Sequence, residues 1–258
     1  MWRFVKALLN DAFFCVELVL SGMLYVVLHS LLINCFNLCM DGLVRLKKFR
    51  EEHRQTRPAW PSGRLHLVSN LVFAFSVMMV SWLCIEDISW RVLLLLPLSI
   101  LVGTLVEYWG HRSLLHIPRS WLKMAYQEHT LTHHFYFTSQ AIEMEKEEDL
   151  HFILFNLTAL IFFVLIIGGG LSVVLGLLLG KDYGFFFMGL CGLYFLTYEL
   201  FHTAYHLPIN HPLFRLSWLL GLRDHHLGHH DQRFMNTHNF GIITSFWDKI
   251  FKTSLEEV

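Results

Sequence analysis

Four long apolar stretches, at 67–85, 91–110, 151–167 and 184–203, constrain this chain most. A helix needs about 20 mainly apolar residues to cross the hydrocarbon core of a bilayer. Inside lipid every peptide N–H and C=O must find its partner within the protein, so stretches of this length cross as helices. The sequence therefore predicts an all-α integral membrane fold with two transmembrane helical hairpins. Composition agrees: only 16 % of residues are charged, against about 25 % in soluble domains. A fifth apolar stretch, 12–39, is interrupted by Glu17, His29 and Asn34. It is read as an extra N-terminal helix that either spans or lies against the others. The segment 168–183 opens with Gly168-Gly169-Gly170 and closes with "GKDYG". Consecutive glycines loosen a helix, so it is expected to be a turn or short re-entrant piece.

Loop charges set the orientation. Segment 41–66 carries Arg45, Lys47, Lys48, Arg50, Arg54, Arg57 and Arg64, while the first hairpin turns through the acidic "EDIS". By the positive-inside rule 41–66 is cytoplasmic, and both hairpins return the chain to the cytoplasm, at His111 and near His202. Arg91, on the opposite side, weighs against this scheme. Two parts are expected: 1–66, a membrane or interfacial helix with a basic cytoplasmic linker, and 67–258, a catalytic domain. The net charge of −1 suggests no nucleic-acid partner. Asp11 and Glu17 interrupt the first apolar run, so a cleaved signal peptide is not expected. The five cysteines show no C-x-x-C spacing and are read as small buried apolar residues. The acidic run "EMEKEED" at 143–149 is read as a solvated face.

The chain has 17 histidines. His29, His53, His66, His151 and His211 stand alone in the sequence and are assigned no ligand role. The other twelve fall at or just beyond the cytoplasmic ends of the hairpins: "HRSLLH" (His111, His116), "HTLTHH" (His129, His133, His134), "HTAYH" (His202, His206), "HHLGHH" (His225, His226, His229, His230) and His238 in "NTHNFG". Helical residues three or four apart share a face. His129/His133, His202/His206, His226/His230 and His226/His229 are therefore read as pairs converging on one cation. The neighbouring histidine of each HH pair points about 100° away, toward a second cation. His111 and His116, five apart, suit a helix end or kink, and Gly228 is read as a bend between His226 and the final pair. So many imidazoles exceed the needs of one tetrahedral ion and point to two metals close together.

Glu107 and Glu199, ionisable groups near the ends of apolar spans, are read as carboxylates that orient the ligand histidines from behind. Glu128, Asp224 and Asp231, with His225 and His238, are weaker candidates for that task. Aromatic residues Tyr108, Trp109, Phe135, Tyr136, Phe137, Tyr205, Phe240 and Trp247 are candidates for lining a substrate groove. Ligand type alone leaves Zn, Cu, Fe and Ni open. Two non-enzymatic readings compete: a metal transporter, which needs ligands along a path through the bilayer, and an inactive structural homologue. Histidines gathered at one membrane face disfavour the first, and the intact motifs disfavour the second.

"EYWGHRSLLH", "HTLTHH", "YELFHTAYH", "HHLGHH" and "NFGIITSFWDKIF" together, in this order, resemble the fatty acid hydroxylase / sterol desaturase superfamily, with the pattern closest to the fatty acid hydroxylase branch. The resemblance covers about 67–253. It implies a dinuclear, non-haem centre, usually iron, with zinc able to replace it in purified material. It further implies O₂-dependent hydroxylation of a lipid C–H bond, with desaturation or another lipid oxidation as the alternative. The family's ligand positions fall on His111, His116, His129, His133, His134, His202, His206, His226, His229 and His230. The second motif reads HxxxHH where the branch commonly has HxxHH. No segment reads as a cytochrome b5 domain, so electrons are expected from a separate protein, a cytochrome b5, ferredoxin or similar carrier with its reductase. The expected location is a membrane with the active site on its cytoplasmic face: endoplasmic reticulum in a eukaryote, inner membrane in a bacterium. Substrate identity and oligomeric state are not legible.

Overall fold

The computed structural model of the chain describes residues 40–56, 62–87 and 89–255. The apolar stretch 12–39, with its cysteines and His29, lies outside them. Two compact units are present, Met1–His53 and Arg54–Val258. In the first, residues 40–53 are helical.

Among the described residues, four helices are long and apolar enough to cross a membrane. α1 is Gly63–Leu83, capped by Ser62, whose hydroxyl accepts from the Leu65 N–H. α2 is Trp90–Leu115; it opens as a 3₁₀ turn, runs as α-helix over Leu95–Gly110 and ends as a π-helical turn, His111–Leu115. α3 comprises Lys123–Tyr126, a π-helical stretch Gln127–His133, and His134–Tyr136. α4 is Leu157–Leu179, capped by the Asn156 side chain. α5 is Lys181–Tyr205, α6 Ser217–His229 and α7 Phe246–Ile250. Among the described residues there is no sheet, only an isolated bridge between Thr138 and Ala141. This is an all-α membrane fold.

Two spans differ from the sequence expectation. Residues 151–156 precede α4 rather than opening a span, because Asn156 caps the helix only there. The expected turn at 168–183 is instead helix: α4 continues through the three glycines to Leu179, and the chain reverses at Gly180 with φ 118°. Small residues lower helix propensity but let helices approach closely in lipid. A Cβ on Gly184 of α5 would lie 2.6 Å from the Ser172 carbonyl of α4, and one on Gly168 would lie 3.1 Å from Cys191 Sγ. The glycines are an interface between α4 and α5, not a break. α5 packs as closely on α1, where a Cβ on Gly192 would meet the Ala74 carbonyl at 2.7 Å. A core of Ala74, Leu160, Val164 and Phe195 joins the three helices. Outward-facing Leu98, Ile166, Val173 and Leu177 stay exposed, as lipid contact requires. Cys84, expected inside, is exposed.

Two further expectations fail, the first only in part. The acidic run is solvated at Glu145, Lys146 and Glu148, but Asp149 is fully buried, receiving Arg54 at 2.8 Å, the Tyr136 hydroxyl and the Glu145 and Lys146 N–H groups. This network ties the segment after α3 to the start of the unit. Secondly, Gly228 makes no bend. α6 runs through it, and a Cβ there would come within 2.8 Å of Asn239 Nδ2 and of Leu255, so glycine serves close approach.

Candidate metal centre

The histidine-bearing ends of α2, α3, α5 and α6 converge. Their side chains form two groups of possible ligands: His111, His116, His129, His134 and His229 in one, His133, His202, His206, His226 and His230 in the other. Nine of these ten are buried, and His129 is partly open. The groups abut, with the His134 and His230 rings 4.4 Å apart between centroids.

Proton placement shows what the groups fit. A carbonyl only accepts, so a ring nitrogen bonded to one carries the proton and leaves a lone pair on the other. His111 Nδ1 donates to Phe240 O (2.6 Å), His133 to Phe152 O (2.7 Å), His206 to Ile142 O (2.8 Å), His229 to His238 O (2.9 Å) and His230 to Phe137 O. Their Nε2 atoms are thus lone-pair donors aimed inward. His116, bound through Nδ1 to Asn236 Oδ1, joins them, and its Nε2 faces His229 Nε2 at 3.0 Å. His206 and His230 both direct Nε2 at His226 Nε2, at 3.3 and 3.0 Å. One proton cannot serve all these contacts. The nitrogens of His133 Nε2 and of both sides of His202 are buried with no protein partner. Facing lone pairs repel, whereas nitrogens each about 2.1 Å from one cation lie about 3 Å apart. The residues present fit two imidazole-bound metal ions.

Burial favours the form that binds metal. It pushes His116 and His133 down to about 4, and holds His129, His134, His206, His226, His229 and His230 well below the ordinary histidine range, with neighbouring imidazoles adding to the effect for these six. At neutral pH these rings are uncharged, the form in which an imidazole can bind a metal.

The grouping revises the expected pairs. His202/His206 and His226/His230 do share a group, as α-helical i,i+4 spacing requires. His226/His229 does not: His229 belongs to the other group. Nor does His129/His133; His129 groups with His134, five residues on. The π-helical stretch Gln127–His133 explains this, because its wider turn aligns i with i+5. HxxxHH on a π-helix thus splits its histidines as HxxHH does on an α-helix. His111 and His116 use the same device.

A fatty acid hydroxylase family model matches residues 96–253, over half of the chain. The chain belongs to the fatty acid hydroxylase family. A solved structure described as full-length Scs7p, with only the hydroxylase domain visible, is similar at TM-score 0.50 and 23 % identity, covering 75 % of this chain and 67 % of that one. At that identity the likeness concerns the fold. No curated protein matches the chain.

Within this hydroxylase-family centre the supporting groups differ from those expected. The Glu107 carboxylate bonds no histidine ring among the described residues. Its carboxylate accepts from the Ile242 and Ile243 N–H groups (2.6 and 3.2 Å) and the Tyr194 hydroxyl (2.7 Å), so it holds the segment whose Phe240 carbonyl takes His111. Glu199 accepts from Asn70 Nδ2 (3.0 Å) and the Phe155 N–H (3.2 Å). Both acids reach backbone; for Glu107, the Nδ1 donor of the nearby His111 is already taken by the Phe240 carbonyl. Asp231 pairs with Arg233, and Asp224 and Glu128 are exposed. His238 contributes its carbonyl, not its ring. His225 lies outside both groups and bonds Asp248 Oδ2 at 3.1 Å. The expected groove aromatics Tyr108, Tyr136, Phe137, Tyr205 and Phe240 are fully buried and pack behind the histidines, as Phe137 does on His206 at 4.4 Å.

Asp248 is the residue the sequence reading missed. Fully buried, it accepts from the Phe240 and Gly241 N–H groups, the Thr253 hydroxyl and His225. Its one signal was a charge within "SFWDKIF". The carbonyls of Phe137, Ile142, Phe152, His238 and Phe240 carry no side-chain signal at all.

Two cavities reach the centre. One, about 460 Å³, lies between α2, α4 and α5, is lined mainly by apolar side chains such as Val106, Leu171, Phe187 and Phe195, and includes Glu107 and His111. The other, about 250 Å³, includes His129, His133 and His202.

Proposed function

We propose that the chain is a membrane-bound, O₂-dependent lipid hydroxylase acting on an acyl or related alkyl chain. The observation that carries this reading is the apolar cavity with His111 in its lining, beside two abutting five-histidine groups. Its volume lies in the range of ligand sites, and its lining offers an alkyl chain a dry wall. The first group would hold one ion and the second its neighbour. Iron is the proposed native metal, with zinc able to occupy the same imidazoles. When bound, the pair supplies the redox chemistry that activates O₂ toward an unactivated C–H bond.

The chain's own part is positioning and exclusion. α2, α4 and α5 orient the alkyl chain toward His111 and keep bulk water out. The carbonyls behind the imidazoles fix each ring's tautomer and direction. Electrons come from a separate carrier, a cytochrome b5 or ferredoxin type with its reductase. The basic 41–66 segment supports a cytoplasmic side for the centre, by the positive-inside rule.

Lipid profiles of cells expressing wild type or the His229→Ala, His230→Ala double variant test the reading. A hydroxylated lipid present only with wild type is expected. Identical profiles, with wild type shown to carry two metal ions per chain, would count against it.

A further inference from the structure

The short helix α7 has two unlike faces. Phe246 and Ile250, four residues apart and so on one side of the helix, are both exposed. Exposed Phe251 and Trp109 of α2, their rings 5.7 Å apart, extend the same apolar surface. Asp248 points about 200° away from Phe246 at 3.6 residues per turn. It is fully buried and holds the Phe240 and Gly241 N–H groups.

The height of α7 along α2 identifies what covers the exposed face. Trp247 Nε1 donates to Thr104 Oγ1 at 3.0 Å, and Phe251 stacks on Tyr108 with ring centroids 5.1 Å apart. Thr104 lies seven residues before His111, about 10 Å nearer the middle of the bilayer at 1.5 Å per residue. The preceding span, α1, has 21 residues, about the thickness of the hydrocarbon core. The same 21 residues counted from Trp90, where α2 begins, end at Gly110. α7 therefore packs beside turns of α2 that lie within the bilayer. Leu101, one turn below Thr104 on the same face, is exposed to lipid and continues the apolar surface downward. Tryptophan is at home at this depth, and interfacial helices sink their apolar face about 5–10 Å into the headgroup–acyl boundary.

The buried face of the same helix reaches the metal centre. Asp248 takes the Phe240 N–H at 2.9 Å, and the Phe240 carbonyl takes His111 Nδ1 at 2.6 Å. We propose that α7 is a foot seated in the leaflet nearest the histidine groups, with Phe246, Ile250 and Phe251 against acyl chains, and that this seat steadies the tie from Asp248 through Phe240 to His111.

The seat is tested with the full chain in nanodiscs of phosphatidylcholine that carries a diazirine in one acyl chain. After illumination, mass spectrometry should find lipid adducts on Phe246, Ile250 and Phe251, as on Leu98 and Leu101 of α2. Hydroxyl-radical footprinting in the same discs should leave the three unoxidised. Oxidation without adducts would put the face in water, and neither mark would mean that protein covers it; each result overturns the seat. The tie is tested with zinc-loaded protein against a competing chelator. Phe246→Asn with Ile250→Asn should weaken zinc retention about tenfold, the low end of the effect of losing a group behind a ligand. Unchanged adducts on Leu98 and Leu101 would show that this variant keeps its fold. Phe246→Leu with Ile250→Leu, which keeps the face apolar, should hold zinc as wild type does. An asparagine variant that also holds zinc as wild type does would overturn the tie. Every readout is independent of lipid oxidation, so failure here and failure of the hydroxylase reading are distinguishable.

Discussion

At the residue scale the sharpest contrast is between two adjacent histidines. His226 Nε2 faces both His206 and His230, whereas His225 bonds Asp248. His226→Ala is expected to reduce bound metal to about one ion per chain or fewer, read by elemental analysis. His225→Ala should leave two ions and lower Tm, since a lost hydrogen bond to a buried charged group costs about 1.5–3 kcal/mol. Asp248→Asn should do both in part: it replaces an acceptor of four donors and loosens Phe240, whose carbonyl holds His111. Loss of a group behind a ligand weakens metal binding by about 10–100-fold, measurable by competition with a chelator.

At the element scale, the π-helical stretch of α3 absorbs one residue. Deleting exposed Leu131 turns HxxxHH into HxxHH, which an α-helix splits between the same two groups. Metal content should therefore survive the deletion, whereas inserting an alanine after Leu131 should abolish it; the same elemental analysis distinguishes the two. Helix packing gives a second expectation. Gly192→Ala forces a methyl against the Ala74 carbonyl and Met78 N–H. Overpacking of this kind costs about 1–3 kcal/mol, visible as a lower unfolding temperature in detergent. Neither effect was readable from the sequence: glycine runs and a one-residue motif change look like breaks until a neighbouring helix shows what they fit.

Across the whole molecule, the buried histidines couple folding to pH. Burial lowers His116 and His133 to about 4, while an unfolded chain binds these protons near pH 6.5. As pH falls from about 6.5 toward 4 the unfolded state gains protons that the folded state refuses, so stability drops, by about 3 kcal/mol for each of these two rings. Asp149 and Asp248 act lower. Burial alone would raise them, but Arg54 and Tyr136 around one, His225 and Thr253 around the other, and backbone donors at both hold them below the ordinary carboxylate value. Their stabilisation is present above about pH 4 and lost as pH falls through their lowered values. Metal-free protein should thus begin to lose thermal stability below about pH 6.5, and metal-loaded protein at a lower pH, because bound ions exclude protons from the rings. A pH series of melting curves with and without chelator checks this; superimposable curves would contradict metal binding at these histidines. The sequence by itself determined the membrane class, the four spans and the histidines gathered at one end, because apolar length and motif identity are properties of the chain alone. Tertiary structure decided which histidine joins which group, that Glu107 and Glu199 hold backbone instead of imidazole, and that His66 meets His151. Those outcomes depend on main-chain carbonyls and on helices brought together from distant parts of the chain, and neither has a side-chain signature.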